Sequence, residues 1–193
     1  MQKIALVEDE KDLNDLIRAY LEKEGYEVTS YYNGKDAIDN VNKEYHLWIL
    51  DIMLGDDISG YDIIKKVREY NADMPVIFTS ARDKELDKII GLELGSDDYV
   101  TKPYSPKELV LRVNNIMRRV YTKDKQNITY KDYMVDVDKR MVLLNNQNIN
   151  LTTLEFDLLY MFLTNRQKSF SRDDILNNIW GENYFGTDRV VDD

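Results

Sequence analysis

The sequence predicts an α/β protein in which a doubly wound, five-stranded parallel sheet is followed by a smaller α+β unit. In residues 1–120, short apolar runs alternate with amphipathic segments of helical spacing, as in β-α units of a parallel sheet. The run from His46 to Leu54 is apolar at consecutive positions and is interrupted only by Asp51, which is typical of a strand buried on both faces. From residue 128 the pattern changes to short strands with polar turns, and then to helices.

The composition is that of an ordinary globular protein, with 43% hydrophobic and 32% charged residues among 193. The chain has no Cys and one His, His46, which excludes disulfides and cysteine catalysis and argues against a His-based zinc site or catalytic triad. We find no signal-peptide pattern or membrane-length apolar run, so we expect a cytoplasmic protein without membrane contact. The net charge of −10 argues against non-specific attraction to nucleic acid.

Five strand-helix units account for the first part of the chain. Gly25 and Gly95 are placed to cap the C-terminal ends of the first and fourth helices. Right-handed crossovers between the units would make all five strands parallel. The predicted strands cover residues 3–7, 26–31, a run ending at 51, 75–79 and 98–101, and the predicted helices cover about 13–21, 34–42, 61–70, 85–94 and 105–120.

Residues 121–127 are polar and unpatterned, and we interpret them as a linker. Beyond them, short strands are predicted at residues 128–130, 134–137, 141–144 and 149–151. Thr152 and Glu155 form a capping-box pattern that opens a helix, and Ser171 opens a second helix that ends near Trp180. Thr187 looks like the cap of a third helix, of which the sequence contains one turn.

Polar side chains follow four of the predicted parallel strands. They are Glu8 with Asp9, Asp51, Thr79 and Lys102. Because the carboxyl ends of parallel strands share one edge of the sheet, we expect them to meet in one crevice. Three carboxylates in a small volume repel one another unless a hard divalent cation lies between them; Mg²⁺ fits, and Mn²⁺ is an alternative. A nucleophilic Asp51 beside a cation, a hydroxyl and an ammonium suits phosphoryl transfer onto aspartate.

Each of these residues also has an ordinary structural explanation. A strand-terminating Asp51 can cap a turn, Thr79 can be a strand-end hydroxyl, Lys102 can be a surface cation, and Glu8 with Asp9 can be helix N-terminal acids. Their joint placement at separate strand ends favours the functional interpretation.

Residues 1–120 resemble the receiver domain of two-component response regulators. The resemblance rests on Val7-Glu-Asp-Glu10, Ile49-Leu-Asp-Ile-Met-Leu54, Phe78-Thr-Ser-Ala-Arg82 and Asp97-Asp-Tyr-Val-Thr-Lys-Pro-Tyr104. Residues 128–193 resemble the winged-helix DNA-binding domain of the OmpR/PhoB subfamily, through Leu151-Thr-Thr-Leu-Glu-Phe-Asp-Leu-Leu159, Ser171-Arg-Asp-Asp-Ile-Leu176, Ile179-Trp-Gly181 and Gly186-Thr-Asp-Arg-Val-Val191. The run ending at Asp51 and the end of the chain look most similar to secretion-stress regulators of Gram-positive bacteria.

The resemblance implies a flavodoxin-like receiver at 1–120, a linker at 121–127 and a winged-helix effector domain at 128–193. It also implies a response regulator that a sensor histidine kinase phosphorylates on Asp51 and that controls transcription through dimerisation and DNA binding. Such a receiver catalyses only its own phosphorylation and dephosphorylation, so it is not an enzyme in the ordinary sense.

The resemblance also assigns roles within the crevice. Asp9 and Asp51 would hold Mg²⁺, with Glu8 acting directly or through water and the Met53 carbonyl as a further ligand. Thr79 would be the switch hydroxyl and Lys102 the phosphate partner, with a cis Lys102–Pro103 bond. Tyr99 would be the switch aromatic, moving inward when Thr79 turns toward the phosphoryl group.

By the same resemblance, charged residues of the fourth helix, fifth strand and fifth helix would form a symmetric dimer when the protein is phosphorylated. The expected pairs across the interface are Lys88 with Glu108, Asp98 with Arg112, and Asp97 with Arg119; the alternative is that these are solvated faces, where ion pairs contribute little. Candidate DNA-phosphate contacts are Thr152, Ser171, Arg172 and Arg189.

The sequence departs from the family pattern in two places. After Asp51, Gly55 replaces a proline and Gly60 comes one position late, so the loop is longer and, with Asp56 and Asp57, more acidic. The sequence also stops at the start of the recognition helix, before the helix and the wing that read DNA in this family. We therefore expect that these 193 residues alone do not bind a specific operator and that a longer chain binds promoter DNA.

Two other functions remain open at this point. One is a phosphorylation-independent interaction module, in which the effector domain is vestigial and the output is protein binding. The other is an aspartyl-phosphate phosphatase of the haloacid dehalogenase type. That class has Asp-x-Asp after its first strand, whereas Asp51 follows the third strand and precedes Ile52 and Met53.

Overall fold

The computed structural model of the chain describes residues 1–55, 57–81, 94–121, 128–137 and 139–180. All but the last residue of the predicted helix at 85–94, nearly all of the predicted linker and the predicted start of a third effector helix lie outside the described residues. Of the candidate site residues, Lys88 and Arg189 lie outside them as well, as does Asp56 in the acidic loop.

The prediction of a five-stranded parallel sheet is confirmed. The strand order is β2-β1-β3-β4-β5, and every neighbouring pair is parallel. The strands are β1 (Lys3–Val7), β2 (Glu27–Tyr31), β3 (Leu47–Asp51), β4 (Val76–Ser80) and β5 (Asp98–Thr101). The helices described in this part of the chain are α1 (Lys11–Lys23), α2 (Gly34–Ile38), α3 (Gly60–Tyr70) and α4 (Pro106–Tyr121). This is the doubly wound order of flavodoxin-like folds.

Alternation along β3 explains why the whole strand is apolar. Leu47 and Ile49 pack in one cluster with α1 and α4, whereas Trp48 and Leu50 pack in another cluster with α2 and α3. Successive side chains of a strand point to opposite faces. Because helices cover both faces, all four side chains are buried.

The helix ends mostly agree with the predicted signals. Gly25 follows α1 with a φ of +93°, the left-handed conformation that favours glycine at a helix end. The predicted helix at 34–42 is shorter than expected, because the amides of Asn40 and Val41 bond to carbonyls three residues back. This tighter hydrogen-bonding pattern converts the last turns into a loop after Ile38.

The second sheet is an antiparallel meander. Its strands are β6 (Ile128–Tyr130), β7 (Tyr133–Asp136), β8 (Met141–Leu144) and β9 (Gln147–Ile149), in that order. Strand β9 begins earlier than predicted, because Asn145 and Asn146 both have positive φ and form a two-residue hairpin turn. The predicted strand at 149–151 is therefore misplaced by two residues, since the observed strand covers residues 147–149.

Among the residues described after β9 there are two helices, α5 (Thr153–Thr164) and α6 (Arg172–Ile179). Each begins with a capping box: Thr152 with Glu155, as predicted, and Ser171 with Asp174. Buried Val135, Val142 and Phe156 join the sheet to α5. Within the described ranges, none of the helices has the length and apolarity needed to cross a membrane.

Candidate functional site

The candidate site lies at the carboxyl edge of the parallel sheet. Asp51 is the last residue of β3 and stands opposite Thr79 of β4 in the sheet register. Glu8 follows β1 and Lys102 follows β5. Strand ends that are distant in sequence are thus brought to one crevice, as the parallel topology requires.

Three carboxylates converge in this crevice. Glu8, Asp9 and Asp51 each offer an oxygen within 4.8 Å of the other two. Glu8 and Asp51 are buried and Asp9 is exposed, so the cluster faces solvent on the side of Asp9. Oxygen donors at this spacing fit a hard divalent cation.

Lys102 joins two of the acids. Its Nζ lies 2.7 Å from Glu8 Oε2 and 2.5 Å from Asp51 Oδ2. Burial acts to lower the pKa of Lys102, but the hydrogen bonds to Asp51 and Glu8 outweigh it, so the pKa is raised. The ammonium therefore stays charged between the two carboxylates.

The orientation of Asp51 is set by its own chain. The backbone amide of Met53 donates to Asp51 Oδ1 over 3.0 Å, while Oδ2 meets Lys102. Each carboxylate oxygen therefore accepts a hydrogen bond, and the side chain is held in one orientation at the carboxyl end of β3.

The surroundings of Glu8 alter its acidity. Burial, helped by the negative charge of Asp51, raises the pKa of Glu8 to about 7, although Lys102 acts in the opposite direction. Near neutral pH the metal-free carboxyl is thus divided between its protonated and ionised forms.

We expect this shift to appear in the pH dependence of stability. Glu8 loses its proton near 4.5 in the unfolded chain and near 7 in the folded chain, so the free energy of unfolding falls as pH rises across that window. Glu8→Gln should therefore match the wild type near pH 5 and be more stable near pH 8, by up to about 3 kcal/mol.

Urea unfolding with a chelator present, at the two pH values, measures this difference. The exposed Glu27→Gln is the matched control, and its stability relative to the wild type should not change between them. Equal stability of Glu8→Gln and the wild type at pH 8 would contradict the raised pKa of Glu8.

Two residues near the site were missed by sequence reasoning. Asn14 is fully buried, and its Nδ2 donates to the carbonyls of Glu8 and Tyr31 at 2.9 and 3.2 Å, which ties α1 to the loop after β1. A polar residue on the same helical face as Ile17 and Leu21 was the available signal. The buried hydroxyl of Tyr104 also lies at the site; burial raises the pKa of this phenol, and the charge of Glu8 raises it further.

The longer loop after Asp51 still returns closely to the strand. The amide of Gly60 donates to the carbonyl of Ile52 over 3.1 Å. A Cβ atom at Gly60 would lie only 2.5 Å from the Asp51 carbonyl oxygen, so the start of α3 packs directly against the backbone of Asp51. Asp57 is exposed on this loop.

The predicted switch residues lie on adjacent strands. Thr79 is buried, and Tyr99 is partly buried against the core cluster on the α2 and α3 side of the sheet. Lys102–Pro103 is cis, as expected from the resemblance. The predicted movement of Tyr99 stays a prediction.

Charged residues predicted for a dimer instead pair within one chain. Arg112 lies 2.9 Å from Asp98 and 2.8 Å from Glu108, and Arg119 lies 2.7 Å from Asp97. An exchange of these partners across two chains stays a prediction.

The structure separates the candidate DNA contacts into two places. Thr152 is half-buried against the receiver at Gly95, whereas Ser171 and Arg172 lie exposed at the start of α6. Their role in DNA binding stays a prediction.

Comparison with known proteins identifies both parts of the chain. Residues 4–114 match the family model described as the response regulator receiver domain, and residues 146–193 match that described as transcriptional regulatory protein, C terminal. The chain is 49% identical over 195 residues to the transcriptional regulatory protein CssR of Bacillus subtilis, an alignment that covers 98% of this chain and 86% of that protein.

Solved structures agree with these matches. The response regulator DrrB, an OmpR/PhoB homolog of Thermotoga maritima, is 31% identical with a TM-score of 0.59, covering 100% of this chain and 85% of its own. The receiver domain of the Francisella response regulator 1452 is 36% identical with a TM-score of 0.55, covering 59% of this chain and 94% of its own.

Receiver domains typically use a divalent metal at an acidic site, and Glu8, Asp9 and Asp51 form an acidic cluster in this chain. The family further implies a histidine kinase partner and DNA binding. The described residues join a five-stranded parallel sheet covered by helices, the receiver fold, to a winged-helix-like domain with antiparallel strands. The chain therefore belongs to the two-component response regulators that join a receiver domain to an OmpR-type DNA-binding domain and regulate transcription.

Proposed function

We propose that Asp51 is the phosphoacceptor of this response regulator. The observation that supports it most is the arrangement around its carboxylate, with Oδ1 held by the Met53 amide and Oδ2 held by Lys102. A nucleophile fixed by charge-assisted hydrogen bonds at an open crevice is positioned for attack on a phosphoryl group.

In the proposed reaction, an Asp51 oxygen attacks the phosphorus of a phosphohistidine on the kinase. A phosphorus–oxygen bond forms, the phosphorus–nitrogen bond breaks, and its electron pair stays on the departing imidazole. The product is an aspartyl phosphate, a mixed anhydride that water later hydrolyses to restore Asp51. Lys102 would follow the phosphoryl oxygens and neutralise part of their charge.

We propose Mg²⁺ as the resident cation, with Mn²⁺ as a substitute. The oxygen-only donor set of Asp9 and Asp51, completed by Glu8 and the Met53 carbonyl, suits a hard cation that keeps several waters. When bound, the cation would offset negative charge on the transferred group.

We propose that phosphorylation of Asp51 repositions Thr79 and Tyr99 and thereby favours a dimer. The dimer surface would be formed by β5, α4 and the predicted helix at 85–94. The dimer contacts would come from Lys88, Asp97, Asp98, Glu108, Arg112 and Arg119.

Residues 1–120 would act as the receiver, 121–127 as the linker and 128–193 as the effector domain. Its phosphate contacts with promoter DNA would include Thr152, Ser171, Arg172 and Arg189, and the protein would act in the cytoplasm.

Incubation with acetyl phosphate tests the proposed chemistry without the kinase. We expect the intact mass of the wild type to increase by one phosphoryl group with Mg²⁺ or Mn²⁺ and to stay unchanged with a chelator. An Asp39→Asn variant, changed at an exposed position at the end of α2, should behave as the wild type. No gain in mass with any divalent cation would contradict phosphorylation as the switch.

A further inference from the structure

We propose that Tyr104 is a positioning residue of the phosphorylated receiver and that it acts through Thr79. In this state the Tyr104 hydroxyl would donate to Thr79 Oγ1, and the Thr79 hydroxyl would donate to a phosphoryl oxygen on Asp51. We call this pair of hydrogen bonds the hydroxyl relay. It rests on the proposed function for the phosphorylation of Asp51, whereas the place of Tyr104 is argued from contacts of the unphosphorylated chain.

Asp51, Thr79 and Tyr104 lie on the same side of the parallel sheet. Ile49 and Ile77 pack in the core cluster on the α1 and α4 side, and successive side chains of a strand point to opposite faces. Asp51 and Thr79 come two residues later on the same two strands and stand opposite each other in register, so both return to that side. The Tyr104 ring packs against the same cluster. The phenol therefore reaches the crevice from the hydrophobic core.

The Tyr104 hydroxyl is a buried polar group that the unphosphorylated protein leaves unsatisfied. Among the described residues, no side chain or backbone group offers it a hydrogen bond of ordinary geometry. A buried hydroxyl in this condition lowers stability, because it has lost its hydration without a replacement. Phenylalanine would fill the same space without that cost. The hydroxyl thus points to a hydrogen bond that forms in another state of the protein.

The surroundings of the phenol identify Thr79 as the partner in that state. Burial raises the pKa of Tyr104 and the charge of Glu8 raises it further, while the Thr79 side chain, just outside ordinary hydrogen-bond geometry, acts in the opposite direction. The phenol therefore keeps its proton at neutral pH and remains a donor. A change in the Thr79 side-chain rotamer would complete the hydrogen bond between the two hydroxyls.

The chemistry of a threonine hydroxyl suits this relay. The group has one proton to donate and lone pairs that accept, so Thr79 can accept from Tyr104 and donate to a phosphoryl oxygen at the same time. A donor behind the threonine polarises its O–H bond and strengthens the second hydrogen bond. The phosphoryl group brings the anionic oxygens that give the Thr79 proton its acceptor. The relay would therefore stabilise the phosphorylated state more than the unphosphorylated one.

Tyr104→Phe tests the relay, because it removes the hydroxyl and keeps the ring. In urea we expect this variant to be at least as stable as the wild type, since the lost hydroxyl has no partner. Beryllofluoride, an analogue of the phosphoryl group that binds an aspartate carboxylate, measures the other state. With Mg²⁺ present, we expect its affinity to fall roughly fivefold, the usual effect of one lost hydrogen bond. Fluorine NMR measures the bound fraction and the shift of the bound fluorides.

Tyr26→Phe is the matched control and should show the opposite pattern. The Tyr26 ring packs against the same core cluster, but its hydroxyl donates to Asn114 Oδ1 over 2.6 Å, and Tyr26 precedes β2 at the amino edge of the sheet. Loss of that hydrogen bond should lower the stability and leave the beryllofluoride affinity unchanged. A Tyr104→Phe variant with the same behaviour as this control would overturn the relay.

A Thr79→Val background separates the relay from a general disturbance of the crevice. Valine keeps the shape of threonine and lacks the hydroxyl through which Tyr104 is proposed to act. In this background, Tyr104→Phe should not weaken beryllofluoride binding further. An equal loss of affinity with and without the Thr79 hydroxyl would show that Tyr104 acts by another route, and would overturn the relay.

Intact mass after incubation with acetyl phosphate and Mg²⁺ separates this inference from the proposed function. We expect the wild type to gain one phosphoryl group and to bind beryllofluoride. If it does neither, the proposed function fails and the relay fails with it. If the wild type does both and Tyr104→Phe binds beryllofluoride as tightly, the relay alone is overturned and the assignment of Asp51 stands.

Discussion

Asp51→Asn should abolish the gain of a phosphoryl group from acetyl phosphate while leaving the protein folded. The amide that replaces the carboxylate is not a nucleophile that forms a mixed anhydride, and the crevice loses the negative charge that pairs with Lys102. The variant also loses a negative charge that raises the pKa of Glu8, so repulsion among the acids decreases and we expect no loss of stability. Intact mass after incubation with Mg²⁺, together with urea unfolding, measures both effects.

The control is Asp39→Asn, an exposed change at the end of α2 that should be phosphorylated as the wild type is. A variant at Asp51 that still gains a full phosphoryl group would show that another residue accepts it. A variant that gains none because it is unfolded would be recognised by its urea transition.

Gly60→Ala should destabilise the protein by about 2–3 kcal/mol, the usual cost of forcing extra atoms into a packed region. Alanine normally favours a helix over glycine, so the sign depends on the surroundings. Here the new Cβ would lie 2.5 Å from the Asp51 carbonyl oxygen and 3.0 Å from Ile52 Cα. Both are backbone atoms next to the nucleophile, and neither can move without disturbing β3. Urea unfolding measures the cost, and we also expect slower phosphorylation because Asp51 is displaced.

Gly25→Ala provides the comparison for this change. Gly25 has a φ of +93° with open space around its Cβ position, so alanine there should cost about 1–2 kcal/mol through backbone strain alone. It should not slow phosphorylation, since it lies at the other end of α1 from the crevice. Equal phosphorylation rates for Gly60→Ala and Gly25→Ala would contradict the proposed contact between Gly60 and the nucleophile.

The strands that build the crevice were predictable because their signals are local. The apolar run around Asp51 identifies a strand buried on both faces, and helical spacing identifies the layers that cover it. Parallel topology then brings Asp51, Thr79 and Lys102 to one edge without further information. The position of the candidate site therefore follows from the order of the elements.

Contacts between distant segments were not predictable in the same way. The pairing of Arg119 with Asp157 depends on how two domains meet, and no local pattern encodes it. The family resemblance implied that Asp97 and Arg119 pair across a dimer, and charge alone does not distinguish a partner in the same chain from one in another. The close contact of Gly60 with the Asp51 backbone was likewise not predicted. The length of the loop indicated only a departure from the family pattern.

Chemical trapping of the phosphorylated residue tests the central claim most directly. Borohydride reduces an aspartyl phosphate to homoserine, and peptide mass spectrometry then locates the altered residue. After incubation with acetyl phosphate and Mg²⁺, the account predicts homoserine at position 51 and at no other carboxylate, and none when a chelator is present. Homoserine at Asp9, the corresponding reduction product of glutamate (5-hydroxynorvaline) at Glu8, or a phosphoryl group that resists reduction would contradict it.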